Sequence, residues 1–168
     1  MMTERDFVAF ILTHGRPDRV HTYDSLRRCG YTGRIVLVLD NEDDTADQYR
    51  ERFGAGDIEV FDKAAIAETF DEGVPGDRRT IVYARNACFD IAERLGYRYF
   101  IELDDDYTTF EWRFDNRLRY LTRDKEIRDL DTVLDIMLRF FRSIPAKSIA
   151  MAQGGDYLGG GEGGKDAC

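Results

Sequence analysis

Three consecutive carboxylates, Asp104, Asp105 and Asp106, close the apolar run Tyr99 to Leu103 in the stretch RYFIELDDDYTTFEW. Neighbouring carboxylates repel one another unless something positive sits among them. Clustered hard oxygen ligands suit Mg2+ or Mn2+, which take one or two carboxylates and complete their shell with phosphate oxygens and water. The alternative is a solvated acidic turn. Position favours the cation, because in an open parallel sheet ligands bind at the carboxyl ends of the strands. Asp104 and Asp106 are the candidate metal ligands, Asp106 the more direct.

Other apolar runs end in groups with related chemistry. FVAFIL (7–12) runs into THGRP, where the Thr13 hydroxyl, the flexible Gly15 and the Arg16 guanidinium can approach a base or a phosphate closely. RIVLVLD (34–40) ends at Asp40 and Asn41, and Asp40 can accept hydrogen bonds from a nucleobase imide or a ribose hydroxyl. YARNACFDIAE places Arg85 and Asn86 where a helix begins, and an arginine there can face a diphosphate. Each has a plain structural alternative: Pro17 opens a helix, Asp18 or Asp40 supplies first-turn charge, and Arg85 is a surface residue.

These residues need a frame to bring them together. The two apolar runs read as buried strands. Between them Val20, Tyr23 and Leu26 recur at three-residue spacing before Gly30 and Gly33, a helix of about three turns. Strand, helix, strand makes a βαβ unit with parallel strands. NEDDTADQYRERFG is acidic first and basic last, the polarity a helix dipole prefers. DIEVFD (57–62) alternates as a third strand, KAAIAETFDEG is a short helix or ordered loop, and Gly/Pro punctuation follows in EGVPGD. Val82, Cys88, Phe89, Ile91, Ala92 and Leu95 then form a helical face closed by Gly96. After RYFIEL, a long helix keeps Leu130, Val133, Leu134, Met137, Leu138 and Phe141 on one face and stops at Pro145. SIAMAQ reads as one more strand. Together this is an α/β, Rossmann-like fold with a mostly parallel central sheet flanked by helices.

Composition narrows the function classes. The chain has 168 residues, 43% hydrophobic and 34% charged, which suits one globular domain of ordinary size. No apolar segment approaches the roughly 20 residues of a membrane span, and a cytosolic protein is expected. A net charge of −9 argues against a broad phosphate-binding surface for nucleic acid, though not against a local basic groove. Cys29, Cys88 and Cys168 have no CxxC spacing and support neither a disulfide framework nor a zinc site; Cys88 reads as a small buried residue. His14 and His21, the only histidines, are not at the spacing of a helical metal pair. No GxGxxG, Walker A or GxSxG motif is present, so the dinucleotide oxidoreductase, P-loop and serine hydrolase readings lack their defining residues.

In the order of its parts the chain resembles the nucleotide-sugar-binding half of GT-A glycosyltransferases over roughly the first 110 residues. The matching residues are Thr13, Gly15 and Arg16 in the first βα turn, Asp40 and Asn41 after the second strand, ARN at 84–86, and ELDDDY at 102–107 as a DxD-type motif. More narrowly, ILTHGRPDRVHTYDSLRRCGYTG, VLDNEDD and FIELDDDY resemble the phage and bacterial glycosyltransferases associated with TET/JBP dioxygenases. That resemblance implies a nucleotide-sugar donor, a UDP-sugar first among the candidates, and a hydroxymethylated pyrimidine of phage DNA as acceptor. It implies Mn2+ or Mg2+ at Asp104 and Asp106, donor contacts from Thr13, Gly15, Arg16, Asp40, Asn41, Arg85, Asn86, Asp104 and Asp105, and residence in the host cytoplasm if a phage encodes the chain. On this reading residues 1–152 form the donor-binding domain. Residues 153–168, with seven glycines in the last fifteen residues, are a flexible tail or part of a donor-site loop in an incomplete chain. Asp115 and Asp156 are guesses for a general base. Two alternatives are a nucleotidyltransferase, for which THGRPDR is a poor phosphate loop, and a non-catalytic nucleotide-sugar-binding module.

Overall fold

A computed structural model describes residues 6–69, 81–121 and 125–152. The Gly-rich segment, Asp156 and Cys168, and the whole EGVPGD punctuation, lie outside the described residues. Four parallel strands form one sheet in the order β3-β2-β1-β4: β1 is Phe7–Leu12, β2 Ile35–Asp40, β3 Ile58–Phe61 and β4 Tyr99–Asp104. Every residue of β1 and β2 is buried, as continuous apolar runs in a sheet covered on both faces must be.

The period-2 alternation of the strands divides the core between the two faces. Ala9, Ile11, Leu37 and Leu39 point to one face and pack with Leu26 of α1 (His21–Arg28), Tyr49 of α2 (Ala46–Phe53) and Leu130, Leu134 and Leu138 of α5 (Leu130–Ser143). Val8, Phe10, Val36 and Val38 point to the other and pack with Ala87, Cys88, Ile91 and Ala92 of α4 (Val82–Leu95) and Ile66 of α3 (Lys63–Glu68). The chain winds outward from β1 through β2 to β3, then crosses back so that β4 pairs with the other side of β1. The strand order thus reverses between β1 and β4, and it is outside the carboxyl ends at such a switch point that open α/β sheets bind ligands.

Several details differ from the sequence expectations. Helix α1 has eight residues rather than three turns, because residues 16–20 are drawn into the sheet edge: the Arg16 N–H donates to the Tyr49 hydroxyl and the Thr22 N–H to the Asp105 carbonyl. Pro17 therefore sits within a turn, closed by the Arg19 N–H donating to the Arg16 carbonyl, and does not open the helix. On α4 the buried face is rotated, with Tyr83 and Ala87 inside while Val82 and Phe89 are exposed. SIAMAQ forms no strand over residues 148–152; Met151 instead packs against the α5 side of the core. Between β4 and α5 the chain makes a short antiparallel excursion, Glu111 bridging Glu126 and Phe114 bridging Tyr120.

Candidate functional site

The carboxyl ends of β1 and β4 lie side by side, with Leu12 in register with Asp104. Alternation then sends the consecutive aspartates in different directions. Asp105 turns toward the α1 and α2 face, where it is 2% exposed. Its Oδ2 accepts from the Thr13 hydroxyl at 2.6 Å and its Oδ1 from Arg16 Nη2 at 2.8 Å. Because the Thr13 proton goes to Asp105, Tyr49 Oη donates to Thr13 Oγ1 at 2.9 Å while accepting the Arg16 N–H at 2.8 Å. The result is a continuous relay, Arg16 N–H to Tyr49 to Thr13 to Asp105, in which each bond polarises the next. Burial pushes the Tyr49 phenol up, more than the Thr13 bond offsets, so it remains a donor.

Asp104 turns to the α4 face, where Arg85 Nη2 donates to its Oδ1 at 2.8 Å. The same guanidinium reaches Glu102 Oε2 at 3.5 Å. Glu102 Oε1 is buried with no hydrogen-bond partner among the described residues, and burial raises this carboxyl above the ordinary glutamate value despite Arg85. The neighbouring Cys88 thiol is pushed well up, chiefly by burial and then by Glu102, so it is inert packing rather than a nucleophile. The positive groups among the aspartates are therefore Arg16 and Arg85, with side chains 54% and 37% exposed, enough to meet a ligand. Asp106 is exposed and makes no hydrogen bond or ion pair with the described residues.

Among the described residues no group of three or more His, Cys, Asp or Glu side chains converges as a metal site. What the strand end does offer is the carboxylate of Asp106 and Asp104 Oδ2, which Arg85 leaves without a hydrogen bond. Such a two-carboxylate set fits a Mg2+- or Mn2+-type ion that draws its remaining ligands from phosphate and water.

A second group of polar residues lies at the carboxyl ends of β1 and β2. Gly15, at φ +67°, turns the loop so that its N–H donates to Asp43 Oδ2 at 2.8 Å. Burial raises the Asp43 carboxyl, but the hydrogen bonds from Thr45 and the Gly15 N–H, with His14 nearby, hold it below the ordinary aspartate value. Asp40, 6% exposed, accepts from His14 Nδ1 at 2.8 Å, from Lys63 Nζ at 3.5 Å and from the Glu42 N–H at 3.1 Å. Asn41 Oδ1 accepts the Lys63 N–H at 3.1 Å and so ties β2 to the start of α3.

Thr13, Gly15, Arg16, Asp40, Arg85, Asp104 and Asp105 are thus gathered along one sheet edge. Asn41 is committed to a backbone contact, and Asn86 is exposed on α4 with no hydrogen bond to the described residues. Asp115 helps form a turn: its Oδ1 accepts the Arg117 and Arg119 N–H groups at 2.8 and 3.0 Å and its Oδ2 the Arg119 Nε–H at 2.9 Å. Tyr49, Lys63, Asp43 and the role of His14 escaped the sequence reading. Tyr49 and Lys63 sit in ordinary helical patterns, and only the sheet order brings them to the edge. A concavity of about 450 Å³ lined by Arg27, Thr32, Gly33, Arg34 and Tyr97 includes residues preceding β2 and β4, at the opposite edge. Its two guanidiniums are already held, Arg27 by the carbonyls of Tyr31 and Gly33, Arg34 by Asp57 and the Gly56 carbonyl.

No helix among the described residues is long and apolar enough to cross a membrane. No curated protein and no solved structure matches the chain. A family model described as TET-Associated Glycosyltransferase matches residues 7–166, from the first residue of β1 through both polar groups at the sheet edge. The chain belongs to the TET-associated glycosyltransferase family.

Proposed function

We propose that this chain is a metal-dependent glycosyltransferase of GT-A type that binds a nucleotide-sugar, a UDP-sugar in the first instance, at the carboxyl edge of its sheet and transfers the sugar to a hydroxyl, a hydroxymethylated pyrimidine in DNA being the acceptor to test first. The observation that carries the reading is the pair of guanidiniums, Arg16 and Arg85, held by Asp105 and Asp104 at the adjacent carboxyl ends of β1 and β4. A leaving diphosphate develops charge as the glycosidic bond breaks, and fixed cations at that point stabilise it more in the transition state than before. The relay from Asp105 through Thr13 and Tyr49 fixes the loop that carries Arg16, so little reorganisation is left for the moment of reaction. Asp106 and Asp104 would hold the divalent cation, whose contribution when bound is further neutralisation of the diphosphate. On this reading residues 1–152 are the donor-binding domain.

The test is incubation with a panel of nucleotide-sugars, Mn2+ and an oligonucleotide carrying a hydroxymethylated pyrimidine, read as sugar incorporation by mass spectrometry. Transfer from a nucleotide-sugar that falls at least 100-fold in Arg85→Ala supports the reading. Incorporation of a nucleotide rather than a sugar would replace it with nucleotidyl transfer.

A further inference from the structure

The end of β2 raises a question about how the base of such a donor would be read. Asp40 has the chemistry to accept an imide N–H, but its oxygens are already used. Oδ1 accepts the Glu42 N–H, and Oδ2 accepts both His14 Nδ1 and Lys63 Nζ. Its side chain is 8% exposed, whereas that of His14 is 55% exposed. Of this pair, the group presented outward is the imidazole.

Asp40 also decides what that imidazole presents. A carboxylate only accepts, so the Nδ1 facing it at 2.8 Å carries the proton, and in the neutral ring Nε2 is left as an acceptor. Beside it, on the same carboxylate oxygen, lies the Lys63 ammonium, its side chain 13% exposed and its Nζ also 3.8 Å from Glu42 Oε2, which leaves one further N–H to donate. An acceptor next to a donor is complementary to a ring N–H flanked by a carbonyl. Uracil, thymine and guanine have that edge; cytosine and adenine, held by ribose and diphosphate in the same register, present a ring acceptor to the acceptor and an amine to the donor and mismatch at both positions.

We infer that His14 Nε2 and Lys63 Nζ read the N–H/C=O edge of the donor's base, and that Asp40 is a positioning residue that sets the imidazole tautomer rather than touching the base. This rests on the nucleotide-sugar reading above and adds which bases the site accepts and how. Arg16 and Arg85 stand at the β1/β4 end and His14 at the β1/β2 end, so base and diphosphate are recognised on either side of β1.

Calorimetric titration of the full chain with Mn2+ and UDP, GDP, CDP, ADP and N3-methyl-UDP tests it. Either UDP or GDP should bind at least about tenfold more tightly than CDP and ADP, the UDP and GDP arms separating the two sources of the same edge. If uridine is the base, N3-methyl-UDP should lose about tenfold against UDP in the unaltered protein. His14→Ala, which removes a half-exposed side chain, should bring the bases to within about twofold of one another while nucleotide binding persists. Asp40→Asn keeps the imidazole but can donate to Nδ1, which moves the ring proton to Nε2; the preference for UDP or GDP over CDP should shrink or reverse, an effect that loss of packing alone would not produce. Equal binding of all five nucleotides, or a preference that survives in His14→Ala, would overturn the inference and leave the donor reading standing. Failure of the unaltered protein to bind any nucleoside diphosphate would overturn both.

Discussion

Asp43 shows how a single carboxylate can hold the loop on which the site depends. Its Oδ1 accepts the Thr45 N–H and hydroxyl at 2.8 and 2.6 Å, and its Oδ2 accepts the Gly15 N–H at 2.8 Å. Every partner is a donor, so the Asp43→Asn amide faces one of them with its own N–H groups whichever way it flips. We expect that variant to lose about 1–3 kcal/mol at pH 7, the range for hydrogen bonds to a charged acceptor. The folded-state pKa is depressed, so this stability is present above the unfolded value of 3.8 and is lost as pH falls through the lower folded value. Urea unfolding at pH 7 and again below pH 3.8 should show the gap between wild type and variant closing on acidification. At this scale the sequence was informative about place and silent about partners. Three aspartates after an apolar run marked the edge, and strand alternation alone separates Asp104 from Asp105. Their actual partners, Arg85 and Arg16, are 19 and 89 residues away in the chain, and only the fold brings them in.

At the scale of elements, two glycines with the same backbone habit sit in different surroundings. Gly96 ends α4 at φ +79° with open space where a Cβ would stand. Gly30, beyond α1, has φ +88°, but its Cβ would lie 2.5 Å from the Arg128 carbonyl oxygen, where the Cys29 carbonyl accepts the Leu130 N–H that starts α5. Gly96→Ala should cost about 1 kcal/mol, the price of the left-handed backbone alone. Gly30→Ala should cost more, because backbone rather than a flexible side chain must move. The check is the shift in urea midpoint of each variant, with the slope unchanged. Both glycines were readable as helix stops, and the strands were readable because buried parallel strands are continuous apolar runs. The rotation of α4 was not, since Phe89 is as apolar as Cys88 and only contact with the sheet decides which one is inside. The missing strand at 148–152 has the same cause: SIAMAQ has strand composition, but a strand also needs a neighbour to pair with.

For the whole molecule, the β3-β2-β1-β4 order is what turns scattered residues into a site. By placing β1 between the two directions of winding, it sets the loop 13–16 beside the ends of both β2 and β4, so one loop serves Asp40 and Asp43 on one side and Asp105 on the other. Parallel pairing and helices on both faces followed from the βαβ pattern; the position of β4 next to β1 did not, because local pattern carries no information about which edge a later strand joins. The net charge of −9 gives the molecule no general anion-binding character, so Arg16 and Arg85, at the adjacent ends of β1 and β4, would have to act on a diphosphate locally. The most direct test of the account is calorimetric titration of the chain with UDP with and without Mn2+, repeated in Asp106→Ala, whose exposed carboxylate carries no packing role. The account predicts UDP binding that strengthens at least tenfold with Mn2+ and loses that gain in the variant; binding unaffected by Mn2+, or a clear preference for a nucleoside triphosphate, would contradict it.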